Sequence, residues 1–141
     1  MTQLLRQQAG HWQMSRSESI DWVTPEQFQA DCALMLEISA ELQPEWVNAN
    51  IIAIEFPAFT DGRGLSLAAL LRQRVGFSGD LRAVGAVHED IVHFMLRCGF
   101  SSFELPEDRD PTTVLQQLTP YSQHYQGSVI APLPTLLRTA V

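Results

Sequence analysis

Short apolar runs recur along the chain from residue 33 onward, and each has the length of a β-strand. They lie at 33–38, 51–56, 81–84 and 102–105, with a weaker run at 128–131. Runs that are apolar almost throughout are typical of parallel strands that are buried on both faces. The run at 33–38 is equally compatible with a short helix, because periodicity does not separate the two structures at this length.

Apolar residues at helical spacing fill two of the intervening segments and predict helices at 65–75 and 87–98. The stripe of the first helix consists of Leu67, Leu70, Leu71 and Val75. The stripe of the second consists of Val87, Ile91, Phe94, Met95 and Cys98. Gly76 and Gly99 follow these segments at the positions where a C-capping glycine is favoured.

The alternation of strands and helices predicts an α/β fold with a small, mostly parallel sheet of about four or five strands. Such a sheet is either open or a part-barrel that a second copy completes. Because right-handed crossovers place successive strands side by side, the strands near 51–56, 80–85 and 101–105 should be adjacent and parallel. One further helix is expected to begin at 24–26, and another is expected to span 112–121.

The chain has 141 residues, which suits one domain. We predict a single α/β domain over 25–141, preceded by a loosely held arm over 1–24 that has room for one short hairpin. The edges of a small open sheet need cover, so a homodimer is also expected.

Charge narrows the possible functions. Sixteen acidic residues outnumber nine basic ones, and the net charge is −7. This balance opposes nucleic-acid binding and fits either plain solubility or a basic protein partner. All nine basic residues are arginines, which excludes a Schiff-base lysine and a phosphate-loop lysine. No apolar run approaches the roughly 20 residues that cross a bilayer, so no membrane association is expected.

Two cysteines, Cys32 and Cys98, lie far apart in the sequence. Two thiols cannot supply the four ligands of an iron–sulfur cluster, and they are too few for a disulfide framework. No other cofactor is evident from the sequence. The N-terminus has no apolar core of signal-peptide length, and we expect a location in the reducing cytoplasm.

The first candidate site is the segment Asp61-Gly62-Arg63-Gly64, which follows the strand at 51–56. Ligands of parallel α/β folds bind at the carboxyl ends of strands. Two glycines permit close approach of the backbone, Arg63 is a cation, and the following helix offers free N–H groups to an anion. The segment can equally be a turn in which the glycines supply unusual dihedral angles and Asp61 caps the helix.

Arg82 is the second candidate, since a buried strand seldom contains arginine unless its charge is paired or faces a site. It could form a structural ion pair with Asp61 or Glu55, or it could present its guanidinium to an oxyanion.

Secondary candidates lie around the second helix: His88, Asp90, Arg97 and Cys98. His88 could act as an acid or base at a strand end. His88 and His93 are five residues apart and cannot face one metal ion from a helix, so no metal site is predicted. Cys98 belongs to the apolar stripe, where an inert thiol is the simplest interpretation. A reactive thiolate would need positive neighbours such as Arg97.

Several motifs in a fixed order resemble the bacterial domain of unknown function family 934, over residues 50–138. They are Phe56-Pro57, Phe59-Thr-Asp-Gly-Arg-Gly64 with Ser66, Leu70-Leu-Arg72, Gly79-Asp-Leu-Arg-Ala-Val-Gly85, Arg97-Cys-Gly-Phe100, Tyr125-Gln126 and Pro132-Leu-Pro134. The chain departs from the family pattern at Ala58, where lysine is usual, and at Ala86 and Ser101, where aspartate is usual. The two missing carboxylates weaken an acid–base mechanism more than an adaptor role.

The resemblance implies a link to sulfite reductase and to sulfur metabolism, since the family is associated with that enzyme and with the label of a probable oxidoreductase in sulfite reduction. It favours an accessory protein of assimilatory sulfate or sulfite reduction that docks to the sulfite reductase haemoprotein or its electron donor, or that binds a small oxyanion. One alternative is a sulfur-metabolite enzyme or an oxidoreductase component that supports electron delivery. Another is a regulatory sensor of a sulfur compound.

Overall fold

A computed structural model describes residues 3–8, 11–16, 19–57, 62–106 and 110–124. This part of the chain contains seven strands, three α-helices and three short helical turns. The strands are β1 (Gln3–Gln8), β2 (His11–Arg16), β3 (Trp22–Val23), β4 (Ala33–Glu37), β5 (Ile51–Phe56), β6 (Asp80–Gly85) and β7 (Ser102–Leu105). The helices are α1 (Gly62–Leu70), α2 (Val92–Cys98) and α3 (Pro111–His124).

All seven strands form one open sheet in the order β2-β1-β7-β6-β5-β4-β3. Strands β3 to β7 are parallel and neighbour one another in sequence order. Strand β1 is antiparallel to both β2 and β7. The α/β class and the parallel β5-β6-β7 neighbourhood are therefore confirmed, whereas the sheet has more strands than the four or five predicted and is parallel only from β3 to β7.

The additional strands come from segments with little apolar signal. Strand β3 has only two residues, and β2 is exposed except for Trp12, which is half-buried. The β1-β2 hairpin nonetheless belongs to the sheet: Leu5 is fully buried in the core, and the ring of Trp12 lies 5.8 Å from that of Phe103. The segment predicted as a loosely held arm therefore extends the sheet along β7.

The predicted strand bounds are confirmed at 51–56 and 102–105, and β6 contains the run at 81–84. The run at 33–38, for which a helix was also open, contains strand β4. The weak run at 128–131 lies outside the described residues.

The predicted helix at 65–75 begins earlier, at Gly62, and its last five residues form a π-helical turn, Leu71–Val75. Gly76 ends it with a left-handed φ of 80°, as its C-capping position predicts. The helix over 112–121 is also present, as α3, where Asp110 accepts hydrogen bonds from the backbone N–H of Thr112 and the hydroxyl of Thr113.

Two helix predictions were wrong in extent. The helix predicted to start at 24–26 is a single three-residue turn, Pro25–Gln27. The helix predicted from Val87 begins only at Val92, because the Nδ1 atom of His88 accepts the backbone N–H of Asp90 and holds a turn there. Phe94, predicted to be in the core, is 47% exposed, whereas Val92, Met95 and Leu96 of the same helix are buried.

The three helices pack on one face of the sheet, which we call the helix face. Side chains alternate along each strand, so Leu81 and Ala83 of β6 join the helices in the core. Asp80 and Arg82 therefore lie on the opposite face, which we call the second face. In the described part of the chain, no helix has the length and apolar character needed to span a membrane.

Candidate anion-binding cleft

A cleft of about 1080 Å³ lies where the parallel strands begin. Its described lining includes the first residues of three strands, namely Ala33, Ile51 and Asp80. The charged side chains among the described lining residues are Arg6, Arg72, Arg82 and Asp80. Three cations thus face one anion, although the chain as a whole has a net charge of −7. The cleft is an electropositive site in an acidic protein.

The register of the sheet places two of these arginines in one row on the second face. Ser102 of β7 is the neighbour of Arg82 on β6 and of Arg6 on β1. Neighbouring strands are about 4.8 Å apart. The backbones of Arg6 and Arg82 lie on opposite sides of Ser102 and are therefore separated by twice that distance. The site follows from strand alternation and from the hairpin that adds β1 to the sheet.

Arg82 is 1% exposed, and its guanidinium is only partly satisfied. Its Nε donates to the hydroxyl of Ser102 at 3.1 Å, and its Nη2 donates to Oδ2 of Asp80 at 3.1 Å. Its Nη1 is buried and has no hydrogen-bond partner among the described residues. Among the described residues, Arg82 therefore pairs with Asp80, two residues earlier on the same face of the strand, and not with Glu55, while Asp61, the other predicted partner, lies outside the described residues.

Asp80 joins the polar groups of three strands. Its Oδ1 accepts hydrogen bonds from the hydroxyls of Ser101 at 2.6 Å and Ser102 at 2.8 Å. Its Oδ2 lies 3.9 Å from Nη2 of Arg6 as well as against Arg82. The Nε of Arg6, like Nη1 of Arg82, is buried without a partner in the described structure. One carboxylate therefore orients two arginines, each of which has an unused donor nitrogen.

Arg72 contributes charge to the cleft while serving as a structural clamp. Its Nε donates to the carbonyl of Gly99 at 2.9 Å, and its Nη1 donates to the carbonyls of Phe77 and Gly79. Gly99 has a φ of 121°, and a Cβ there would lie 2.6 Å from Cγ of Arg72. Burial lowers the pKa of Arg72, and the Asp80 carboxylate partly opposes this effect. The guanidinium thus ties the end of α2 to the loop before β6.

The structure separates the glycine segment from Arg82. Gly62, Arg63 and Gly64 open α1 beyond the carboxyl end of β5, whereas Asp61 lies outside the described residues. Arg63 lines a smaller cavity together with Glu37 and Glu55, so the described lining there has two carboxylates and one guanidinium. That balance does not favour an anion.

Gly64 has a packing reason of its own. It is buried, and a Cβ there would lie 2.6 Å from Cζ of Phe56 and 3.0 Å from Cγ2 of Ile38. The absence of a side chain lets α1 approach β5 closely, which explains this glycine without a ligand. Gly62 has no atom within 4 Å of such a Cβ and carries no comparable constraint.

The secondary candidates His88 and Asp90 lie in the turn before α2, and Arg97 and Cys98 lie at its end. His88 is 3.5 Å from the carboxylates of both Glu89 and Asp90. Burial raises the pKa of Cys98, and Arg97 only partly offsets this. Among the described residues, no three histidine, cysteine or carboxylate side chains are grouped as metal ligands.

Sequence reasoning found Arg82 but missed the groups around it, which are Arg6, Arg72, Asp80, Ser101 and Ser102. The predicted site lay at the carboxyl ends of the strands, whereas the cleft lies at their amino ends. The spacing of Asp80 and Arg82 is a signal that could have located it, because alternate residues of a strand share one face.

Residues 35–136 match the family described as "Bacterial protein of unknown function (DUF934)", over most of the chain. The chain belongs to this family. The DUF934 region includes Arg72, Asp80 and Arg82 together with Ser101 and Ser102, while Arg6 precedes it. Neither the curated proteins nor the solved structures give a significant match to this DUF934 protein.

Proposed function

We propose that this DUF934 protein is an accessory protein of sulfite reduction that binds a small oxyanion in the cleft at Arg82. The observation that carries the proposal is the Nη1 atom of Arg82, which is buried without a partner in the described structure. An unsatisfied buried donor costs about 1–3 kcal/mol, and more when it is charged. An oxyanion in the cleft would accept its hydrogen bonds and offset that cost.

The composition of the cleft supports an anion over a neutral ligand. Guanidinium groups bind oxyanions through paired, charge-assisted hydrogen bonds. The Nε of Arg6 is a second unused donor that lines the same cleft. Asp80 offsets only one of the three positive charges there, so the described lining keeps a net positive charge.

The pathway assignment comes from the family resemblance, which favours sulfite or sulfate as the ion. The same resemblance suggests the sulfite reductase haemoprotein or its electron donor as the partner. A chain of net charge −7 would be attracted to a basic face of that partner. Such an association weakens as salt rises, because exposed charges are screened beyond about 8 Å at physiological ionic strength.

Calorimetric titration of the full chain with sulfite and with sulfate tests the ion-binding part. Arg82→Gln and Arg6→Gln should each weaken binding at least tenfold, since each removes one donor nitrogen of the proposed site. Arg74→Gln is the matched control, because Arg74 is exposed and is not part of the described cleft lining. Melting temperatures show whether the Arg82→Gln variant still folds. The Arg6→Gln variant provides a second test, because the side chain of Arg6 is 35% exposed and its replacement should disturb the fold less.

Absence of sulfite and sulfate binding to the wild type, or equal weakening by Arg74→Gln, contradicts an oxyanion site at Arg82. The partner is tested separately by co-purification with sulfite reductase at low and high salt. Recovery of the reductase that falls with salt supports electrostatic docking. Failure to recover it at low salt contradicts the partner but leaves the ion site unaffected.

A further inference from the structure

The cleft at Arg82 is much larger than a bare oxyanion. Its volume is about 1080 Å³, whereas pockets for drug-sized ligands measure about 300–1,000 Å³. Sulfite and sulfate have only four or five atoms. If such an ion binds at the unused donors of Arg82 and Arg6, most of the cleft remains for another part of the same ligand.

The two ends of the cleft differ in chemistry. Arg6 and Arg82 lie on β1 and β6, and Arg72 donates to the carbonyl of Gly79 directly before β6, so the three arginines mark the cationic end. Ala33 and Ile51, which begin β4 and β5, mark the other end, and Asn50 precedes Ile51. Strands β1 and β4 are separated by four strand-to-strand spacings, which amounts to about 19 Å. A molecule bound across this distance would meet positive charge at one end and neutral side chains at the other.

We propose that the cleft binds an organic phosphate or an organic sulfate ester. The tetrahedral head group is held by Arg82 and Arg6, and the neutral body lies over the beginnings of β5 and β4. This inference rests on the proposed oxyanion site and adds the class of molecule that carries the oxyanion. The apolar surface of Ala33 and Ile51 suits a carbon framework or ring, and the exposed amide of Asn50 offers both a donor and an acceptor.

The test is a calorimetric titration of the full chain with ligands that share a head group and differ in the body. Inorganic phosphate is compared with ribose 5-phosphate and adenosine 5′-monophosphate, and inorganic sulfate is compared with phenyl sulfate. At least one ester should bind tenfold or more tightly than its own bare ion. Adenosine, which has the body without the anion, should not bind. Esters that bind no more tightly than their bare ions overturn this inference.

Ala33→Leu tests where the body lies, because it fills the neutral end without touching an arginine. The variant should abolish the tighter binding of the ester relative to its bare ion, while the affinity for the bare ion changes by no more than about twofold. Ala69→Leu, on α1 and not among the described lining residues, is the matched control. If Ala33→Leu does not fold, Asn50→Ala replaces it, because that side chain is exposed and its truncation should still weaken the ester alone.

The outcomes separate this inference from the proposed function. If bare sulfite or sulfate binds through Arg82 and no ester binds more tightly than its bare ion, the organic ligand is contradicted and the ion site is supported. No binding of bare ions or esters contradicts both. If the ester still binds more tightly than its bare ion to the same extent in both Ala33→Leu and Asn50→Ala, the placement of the body over β4 and β5 is overturned.

Discussion

Nη2 of Arg82 lies 3.1 Å from Oδ2 of Asp80, and the two residues share one face of β6 because they are two positions apart. Arg82 is 1% exposed and Asp80 is 24% exposed, so the pair links a buried cation to the cleft. Asp80 thereby compensates a charge that the interior could not otherwise hold.

Asp80→Asn should therefore destabilise the protein by about 3 kcal/mol, the lower end of the cost of breaking a buried ion pair. The variant leaves the guanidinium of Arg82 buried without a counter-charge. Urea unfolding measures the change in the free energy of unfolding. Glu26→Gln, at an exposed acidic residue, is the control and should change stability by no more than about 0.5 kcal/mol.

The double variant Asp80→Asn with Arg82→Met measures the interaction energy between the two side chains, as distinct from the contribution of each side chain alone. Its cost should be clearly smaller than the sum of the two single costs, because neither charge is then left alone. Additive single costs would show that the two groups do not stabilise each other.

Two glycines at the start of α1 should respond in opposite ways to alanine. Gly64→Ala places a Cβ 2.6 Å from Cζ of the buried Phe56 ring and should cost about 1–3 kcal/mol through overpacking. Gly62→Ala meets no atom within 4 Å and should leave stability unchanged or raise it by up to about 1 kcal/mol. Thermal unfolding of the two variants compares them directly. Equal effects would mean that the close approach of α1 to β5 does not depend on Gly64.

Cys98 should ionise at a higher pH in the folded protein than in the unfolded chain. Burial raises the pKa of its thiol, so the rate of alkylation by iodoacetamide should reach its midpoint at a higher pH than in urea, where the thiol titrates near 8.5. Because the unfolded chain loses this proton first, the stability that the thiol contributes at lower pH is lost as pH rises. Mass spectrometry of the Cys32→Ser variant follows Cys98 alone. Identical pH midpoints in the folded and unfolded chain would contradict the shift.

The parts of the fold that could be predicted are those in which apolar pattern determines structure. Strand β5 has the predicted bounds because its nearly continuous apolar run ends at Pro57, and β7, whose apolar residues alternate with polar ones, ends before Pro106. The β1-β2 hairpin could not be placed in the sheet in this way, because its residues are mostly polar and its position depends on pairing with β7 far along the chain. The start of α2 was misplaced because a side chain of the turn, His88, competes with the helix for a backbone N–H.

The candidate site was predictable only at Arg82. A charged residue in an apolar strand is visible in the sequence, but its partners depend on register. Arg6 reaches the site through the antiparallel pairing of β1, and Ser102 through the parallel pairing of β7. The rule that ligands bind at the carboxyl ends of strands predicts a site at Arg63 instead, and Arg63 lines a cavity together with Glu37 and Glu55.

A nuclear magnetic resonance titration of the isotopically labelled full chain with sulfite is the most direct test of the central claim, that an oxyanion binds at Arg82. Backbone N–H signals report which end of the sheet meets the ion. We expect the largest saturable shifts at Leu81, Ser101 and Ser102, together with the side-chain Nε–H signals of Arg6 and Arg82. Shifts that saturate instead over 62–66, with Arg82 unmoved, would place the ion at the opposite end of the sheet and contradict the account.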